Sequence, residues 1–154
     1  MDDIEKIIAK NSSVYSRHLI GKARHLMFLA RQRELTPYNI LPTQAYILFL
    51  LYNLGHKVTL AELSKHTIRK MGTLSIQMTR MEKEGLVNKL RDNPRSVLLK
   101  YELTKKGIAA YKISNKMESE IAIMSVLSEE ERQQFIAILQ KVIGEAEIYN
   151  EAKL

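Results

Sequence analysis

TLAELSKHTIRKMGTLSIQMTRMEKEGLVNKLRDNPRSVLLKYELT, residues Thr59–Thr104, carries three physical signals in succession. Two short amphipathic helices come first, joined by a few residues, and a β-hairpin with a basic tip follows. In Thr59–His66, Leu60, Leu63 and Ser64 fall at the i, i+3, i+4 spacing of one helical face. Thr59 stands three before Glu62, the arrangement that satisfies two unpaired amides at a helix start.

A second helix is expected from Lys70 to Glu84. Met71, Leu74, Met78 and Met81 form a narrow apolar stripe able to bury against the first helix. At about 100° per residue the opposite face presents Arg69, Thr73, Ile76 and Arg80, flanked by Lys70, Gly72, Ser75 and Gln77. Arg and Lys can donate to guanine, Gln can pair with adenine, and small residues let a helix approach closely. Such a face suits a major groove. Ile76 is its odd member, and two readings stand side by side: contact with a thymine methyl, or a fold contact to the hairpin.

Gly85 is placed to end this helix in a left-handed conformation. Leu86–Arg91 and Val97–Leu103 then read as strands around the turn Asp92-Asn93-Pro94-Arg95-Ser96. Val97, Leu99, Tyr101 and Leu103 alternate with Leu98, Lys100 and Glu102, a half-buried pattern of period two. Arg91, Asn93 and Arg95 sit at or beside the tip, where they can reach phosphates or a minor groove. Helix, helix and two-stranded wing make a winged helix-turn-helix, in a chain that is otherwise mainly α with no further β than this small wing.

Around that core the rest is helical. Ile4, Ile7, Ile8, Val14, Leu19, Ile20, Ala23, Leu26, Met27 and Ala30 give residues 4–33 a broad apolar stripe, with Asn11-Ser12-Ser13 as a candidate cap dividing it. Thr43–Asn53 is strongly apolar and reads as a buried helix closed by Gly55. His56-Lys57-Val58 could add a third strand. Thr104 caps a helix expected from Lys105 to about Leu127, and Ser128 with Glu131 opens a last one carrying Phe135, Ile138, Leu139, Val142, Ile143 and Ala146. The division expected is a winged-helix lobe at 36–104 and a helical dimerisation lobe at 1–35 and 105–154.

Composition narrows the functional classes. The 154 residues carry a net charge of +7, with 45% hydrophobic and 27% charged residues and no cysteine. Disulfides, thiolate metal sites and thiol redox sensing are therefore excluded. No apolar run approaches the roughly 20 residues of a membrane span, and the N-terminus does not open as a signal peptide, so no membrane partner and a cytoplasmic location are expected. Between His56 and Lys106 there are twelve Lys and Arg against five Asp and Glu, while residues 117–154 carry a net charge of −5. Basic charge gathered on one module is the footprint of phosphate neutralisation. No nucleophile elbow, phosphate loop, dinucleotide fingerprint or zinc-helix motif occurs, so no enzyme, cofactor or metal site is expected. His18 and His25 lie seven apart, roughly 10 Å along a helix axis and too far for one metal ion.

The pattern GTLSIQMTRMEKEGLV, followed by a basic wing and LTKKG, resembles the MarR family of bacterial transcriptional regulators. The segment LPTQAYILFLL is similar to the helix that precedes the pair in that family, and with the flanking helices the resemblance covers most of the chain. Two features depart from it. The wing signature of Asp, any residue, Arg is here stretched, with Asp92 and Arg95 three apart, and the cysteine of the peroxide-sensing branch is missing. The resemblance implies a homodimer that binds a pseudo-palindromic double-stranded DNA operator, a repressor responsive to a small aromatic or phenolic effector. It also implies an effector cleft near Arg17, His25, Arg31, Tyr38 and Tyr46. The rival reading keeps the fold as a protein-interaction module without sequence-specific DNA binding.

Overall fold

The computed structural model describes residues 6–7, 10–55, 57–91 and 98–151. The chain divides into two compact units, Met1–Met117 and Glu118–Leu154. The first begins with α1, Ser12–Leu35, whose start is fixed by Asn11: its side-chain oxygen accepts from the amides of Ser13 and Val14 at 3.1 and 3.2 Å. That cap stands where the sequence placed it. A short 3-10 turn, Thr36–Tyr38, and a left-handed Asn39 (φ 54°) lead into α2, Pro42–Leu54. Proline opens α2 because its first turn needs no amide donor, and Leu41 donates its amide to Gln44 Oε1 at 2.9 Å.

Helix α2 is the middle of the core. Ala45, Ile47, Leu48, Leu50 and Leu51 are buried on it, against Leu63, Leu74, Met78, Met81 and Val87 of the segments that follow. Those segments are β1 (Val58–Thr59), α3 (Leu60–Lys65), α4 (Met71–Lys83), β2 (Val87–Leu90) and β3 (Lys100–Leu103). The sheet order is β1-β3-β2, all antiparallel, with Val58 opposite Tyr101 and Lys89 opposite Tyr101 from the other side. A third strand therefore forms as expected from Val58, while His56 lies outside the described residues. β3 is shorter than the expected Val97–Leu103: its pairing starts where Lys100 meets Leu90. Leu99 half-buried, Leu98 exposed and Tyr101 buried keep the alternation that the sequence showed.

Helix α4 ends in a turn that closes the carbonyls of Met81 and Glu82. Gly85 takes φ 72°, donates to Glu82 O, and Leu86 donates to Met81 O, both at 2.9 Å. This is the paired arrangement of a Schellman motif, with Leu86 and Met81 both buried beside it. The start of α5, Lys105–Ser114, grips the same turn. Thr104 Oγ1 donates to Gly85 O at 2.6 Å and accepts from the Gly107 amide at 2.9 Å. Thr104 N donates to Leu86 O at 3.1 Å, and Lys106 Nζ donates to Glu84 O at 2.7 Å. On the other side Gln44 Nε2 donates to the Glu84 carboxylate. Three elements thus hold one turn.

The helix expected from Lys105 to Leu127 is broken. α5 stops at Ser114, Met117 turns left-handed at φ 51°, and α6 runs from Glu118 to Met124. The buried Arg31 guanidinium donates to the Ser114 carbonyl, which a continuous helix would need for its next hydrogen bond. Ser114 Oγ also donates back to Tyr111 O at 3.1 Å, a competitor of helix continuation. α1 and α5, assigned from sequence to the dimerisation lobe, thereby share a compact unit with the winged helix.

The second unit holds α6 and α7, Glu129–Glu151. The expected capping box is present: Ser128 N donates to Glu131 Oε2 at 2.8 Å and Glu131 N to Ser128 Oγ at 3.2 Å. No residue of α7 is buried within the single chain, and Phe135, Ile138, Val142 and Ile143 are exposed along it.

The grip on the α4 turn makes Gly107 the most constrained glycine. A Cβ there would collide with the Leu86 carbonyl oxygen. Gly107→Ala is expected to cost about 1–3 kcal/mol, the usual range for forcing atoms into a packed site. It should lower the urea midpoint without changing the slope, whereas Gly72→Ala, which meets nothing within 4 Å, should leave the midpoint in place or raise it.

Candidate nucleic-acid interface

The surface that the sequence singled out is built by α3, α4 and the wing. Helix α3 starts on a reciprocal cap. The Glu62 amide donates to Thr59 Oγ1 at 3.2 Å, and the Thr59 amide and hydroxyl both donate to Glu62 Oε2 at 2.7 Å. Those bonds, the backbone one foremost, hold the Glu62 carboxyl below the ordinary carboxylate range. The connection from α3 to α4 is anchored by Tyr46, whose hydroxyl donates to His66 O at 2.8 Å.

Helix α4 separates its faces cleanly. Leu74, Met78 and Met81 are fully buried. At about 100° per residue the arc directly opposite them carries Gly72, Ile76, Thr79 and Lys83, with Thr73 and Arg80 adjoining. All six are exposed. Ser75 and Gln77 flank the buried arc and are half-buried, so they stand at the margins of the face. Met71 does not join the buried stripe as expected; it is 53% exposed. It is the first helical residue, and its side chain leans toward the N-terminus.

The electrostatics of this face are one-sided. No Asp or Glu occurs between Glu62 and Glu82, while Lys65, Arg69, Lys70 and Arg80 do, and all four are exposed. The first turn of α4 has no acid and its N-cap, Lys70, makes no side-chain cap bond. The positive end of the helix dipole is left uncovered. Lys89 on β2 and Arg91 just beyond it are exposed as well. Asn93 and Arg95 lie outside the described residues. The sequence reading left out Thr79 and Lys83, although the same helical arithmetic brings both to the face.

The residues expected around an effector cleft have different surroundings. Arg17 and His25 are exposed on α1. Arg31 is buried and engaged, with Nη1 at 2.7 Å from Glu34 Oε1 and Nη2 on the Ser114 carbonyl. Tyr46 is committed to His66. Tyr38 lines a cavity of about 380 Å³, together with Ile40, Glu84, Leu86, Lys106, Ala110 and Ile113. Gln44, Glu84 and Lys106, which hold the end of α4, were not singled out from sequence; the carboxylate and its amide partner are 40 residues apart. Among the described residues there is no group of three His, Cys, Asp or Glu able to hold a metal ion, and no helix long and apolar enough to cross a membrane.

No protein-family profile and no curated protein sequence matches the chain. Solved structures do. The organohalide-sensing transcriptional regulator RdhR, bound to 2,4-dichlorophenol, is similar over 94% of this chain and 85% of its own, with TM-score 0.83 and 22% identity. A mutant MarR from E. coli complexed with operator DNA covers 92% of this chain and 99% of its own, with TM-score 0.76 and 21% identity. The MepR–DNA complex from S. aureus covers 84% and 96%, with TM-score 0.75 and 25% identity. These are MarR-family regulators, and the chain has their winged-helix fold.

The cap of α3 predicts a pH dependence. The folded pKa of Glu62 lies below its unfolded value, so its contribution is complete above the ordinary carboxylate range and is lost as pH falls through the lowered value. Glu62→Gln should be less stable than the wild type at neutral pH, and the gap should narrow below about pH 4. Urea unfolding of both proteins across a pH series checks this; a gap unchanged down to the acid limb would mean that ionised Glu62 has no part in it.

Proposed function

We propose that the chain is a member of the MarR family and a sequence-specific double-stranded DNA-binding transcriptional regulator. One observation carries this reading: the exposed face of α4 combines arginine, lysine, hydroxyls and a glycine with no carboxylate, on a fold whose relatives have been solved on DNA. Helix α4 enters a major groove, its outward arc reads base edges, and Arg69, Lys70, Lys89 and Arg91 neutralise phosphates. The wing tip, with Asn93 and Arg95, reaches the flanking backbone or minor groove. No catalytic role is assigned.

The protein acts as a homodimer. The apolar residues Phe135, Ile138, Val142 and Ile143 of α7, and Leu19, Ile20 and Leu26 of α1, stay exposed in the single chain. Exposed apolar stripes of this kind, one in each unit, mark surfaces for a partner chain, and two copies of α4 then meet two half-sites about one helical turn apart. Occupying a promoter in this way represses it. A small aromatic or phenolic effector is supported by the Tyr38–Lys106 cavity, because its wall includes Glu84 and Leu86 at the end of α4; the likeness to a dichlorophenol-bound regulator points the same way.

Binding is tested by selecting duplexes from a random-sequence pool and titrating the recovered sequence against a scrambled one. Arg80→Ala is expected to lower affinity for the selected duplex by about 1–3 kcal/mol and to relax preference at one position in each half-site. Arg91→Ala should weaken both duplexes alike and reduce the log–log salt slope by about one unit per site. Equal binding of selected and scrambled duplexes by the wild type would favour the protein-interaction reading instead. Sedimentation should give a dimer, and Ile138→Glu with Val142→Glu should shift it toward monomer and weaken DNA binding with it.

A further inference from the structure

Ile76 lies on the arc of α4 opposite the core. It lies opposite Leu74 and Met81, and it is 59% exposed. With more than half of its surface open to solvent, the side chain is no part of the buried core, and of the two readings contact with a thymine methyl is the one taken up here. One turn earlier stands Gly72, where even a Cβ would meet nothing within 4 Å. The outward ridge thus runs from a residue without a side chain to a bulky branched hydrocarbon, and then to Thr79 and Lys83. An isolated exposed isoleucine on a protein surface needs no explanation. This one sits at the centre of a cationic, carboxylate-free face, where charge complementarity specifies a polyanionic partner and the apolar apex must meet something apolar within it.

We infer that Ile76 is a specificity-determining residue that packs on the C5-methyl group of thymine in the major groove. That methyl is the only apolar group that a base pair displays there. The bare backbone at Gly72 lets the helix settle deeply enough for a short branched side chain to reach the base edge, while Arg80 and Thr73 beside it carry the polar contacts. The preference predicted is for thymine over cytosine at one position of each half-site, set by the methyl and not by hydrogen bonding. The inference rests on the DNA-binding reading above and goes beyond it in naming the group that is read.

The experiment takes the full-length protein and the duplex recovered by selection. Each thymine in turn is replaced by deoxyuridine, which removes the methyl and leaves base pairing intact. One thymine per half-site is expected to lose about 3- to 5-fold in affinity on this change, the worth of one buried methyl-sized group. With Ile76→Ala the thymine and uracil duplexes should bind alike, and with Ile76→Val most of the discrimination should remain. Binding by the wild type with no uracil-sensitive position would overturn the inference while leaving the DNA-binding reading intact. So would Ile76→Ala keeping the full discrimination, or Ile76→Ala altering the oligomeric state in sedimentation, which would give this apex to a second copy of the chain. Failure of the wild type to bind any duplex would overturn the DNA-binding reading and the inference together.

Discussion

The turn Glu84-Gly85-Leu86 is the constraint on which the rest depends. It ends the helix that carries the outward face, and it is held from three directions. Within α4, the Gly85 and Leu86 amides close the last carbonyls. From α5, Thr104 and Lys106 donate to the carbonyls of Gly85 and Glu84, and the missing side chain at Gly107 allows the close approach. From α2, Gln44 ties the Glu84 side chain. A recognition surface works only when its groups are held within a fraction of an ångström by supporting contacts. Here the support comes through hydrogen bonds to backbone carbonyls, which a helix end must satisfy in any case.

Such a fixed end has a mechanical consequence. α4 cannot tilt without disturbing α2 and α5 together, so its orientation is coupled to the elements that line the Tyr38–Lys106 cavity. Lys106 and Glu84 belong both to the clamp and to that cavity wall. Any group that bound there with different affinity for two arrangements of the turn would shift their populations by that difference and no more.

The two units spend their apolar residues differently. In the first, burial is internal: Leu48, Leu63, Leu74, Met78 and Met81 are sealed from solvent by one another. In the second, no apolar side chain of α7 is buried in its own chain. The surface of α4 differs again: on its outward arc the one exposed apolar group, Ile76, stands among Arg80, Lys83 and hydroxyls, which suits a charged partner and not a second hydrophobic face.

What the sequence determined by itself were the features governed by near neighbours. Asn11, Thr59, Thr104 and Ser128 were legible as caps because a cap bonds amides two or three residues away. Gly85 was legible because only a left-handed residue ends a helix in this way. The α4 stripe and the β3 alternation were legible because their periods are those of the backbone itself. Only the tertiary structure decided matters that join distant residues. The helix expected through Leu127 breaks where Arg31, 83 residues away, takes the Ser114 carbonyl, a partner that no local pattern announces. Gln44 and Glu84 meet across 40 residues, and no local pattern marks either one. The exposure of Ile76 was undecided in the sequence because periodicity gives a side chain's direction and not what stands in front of it. The tertiary structure supplied that answer, leaving the side chain 59% exposed.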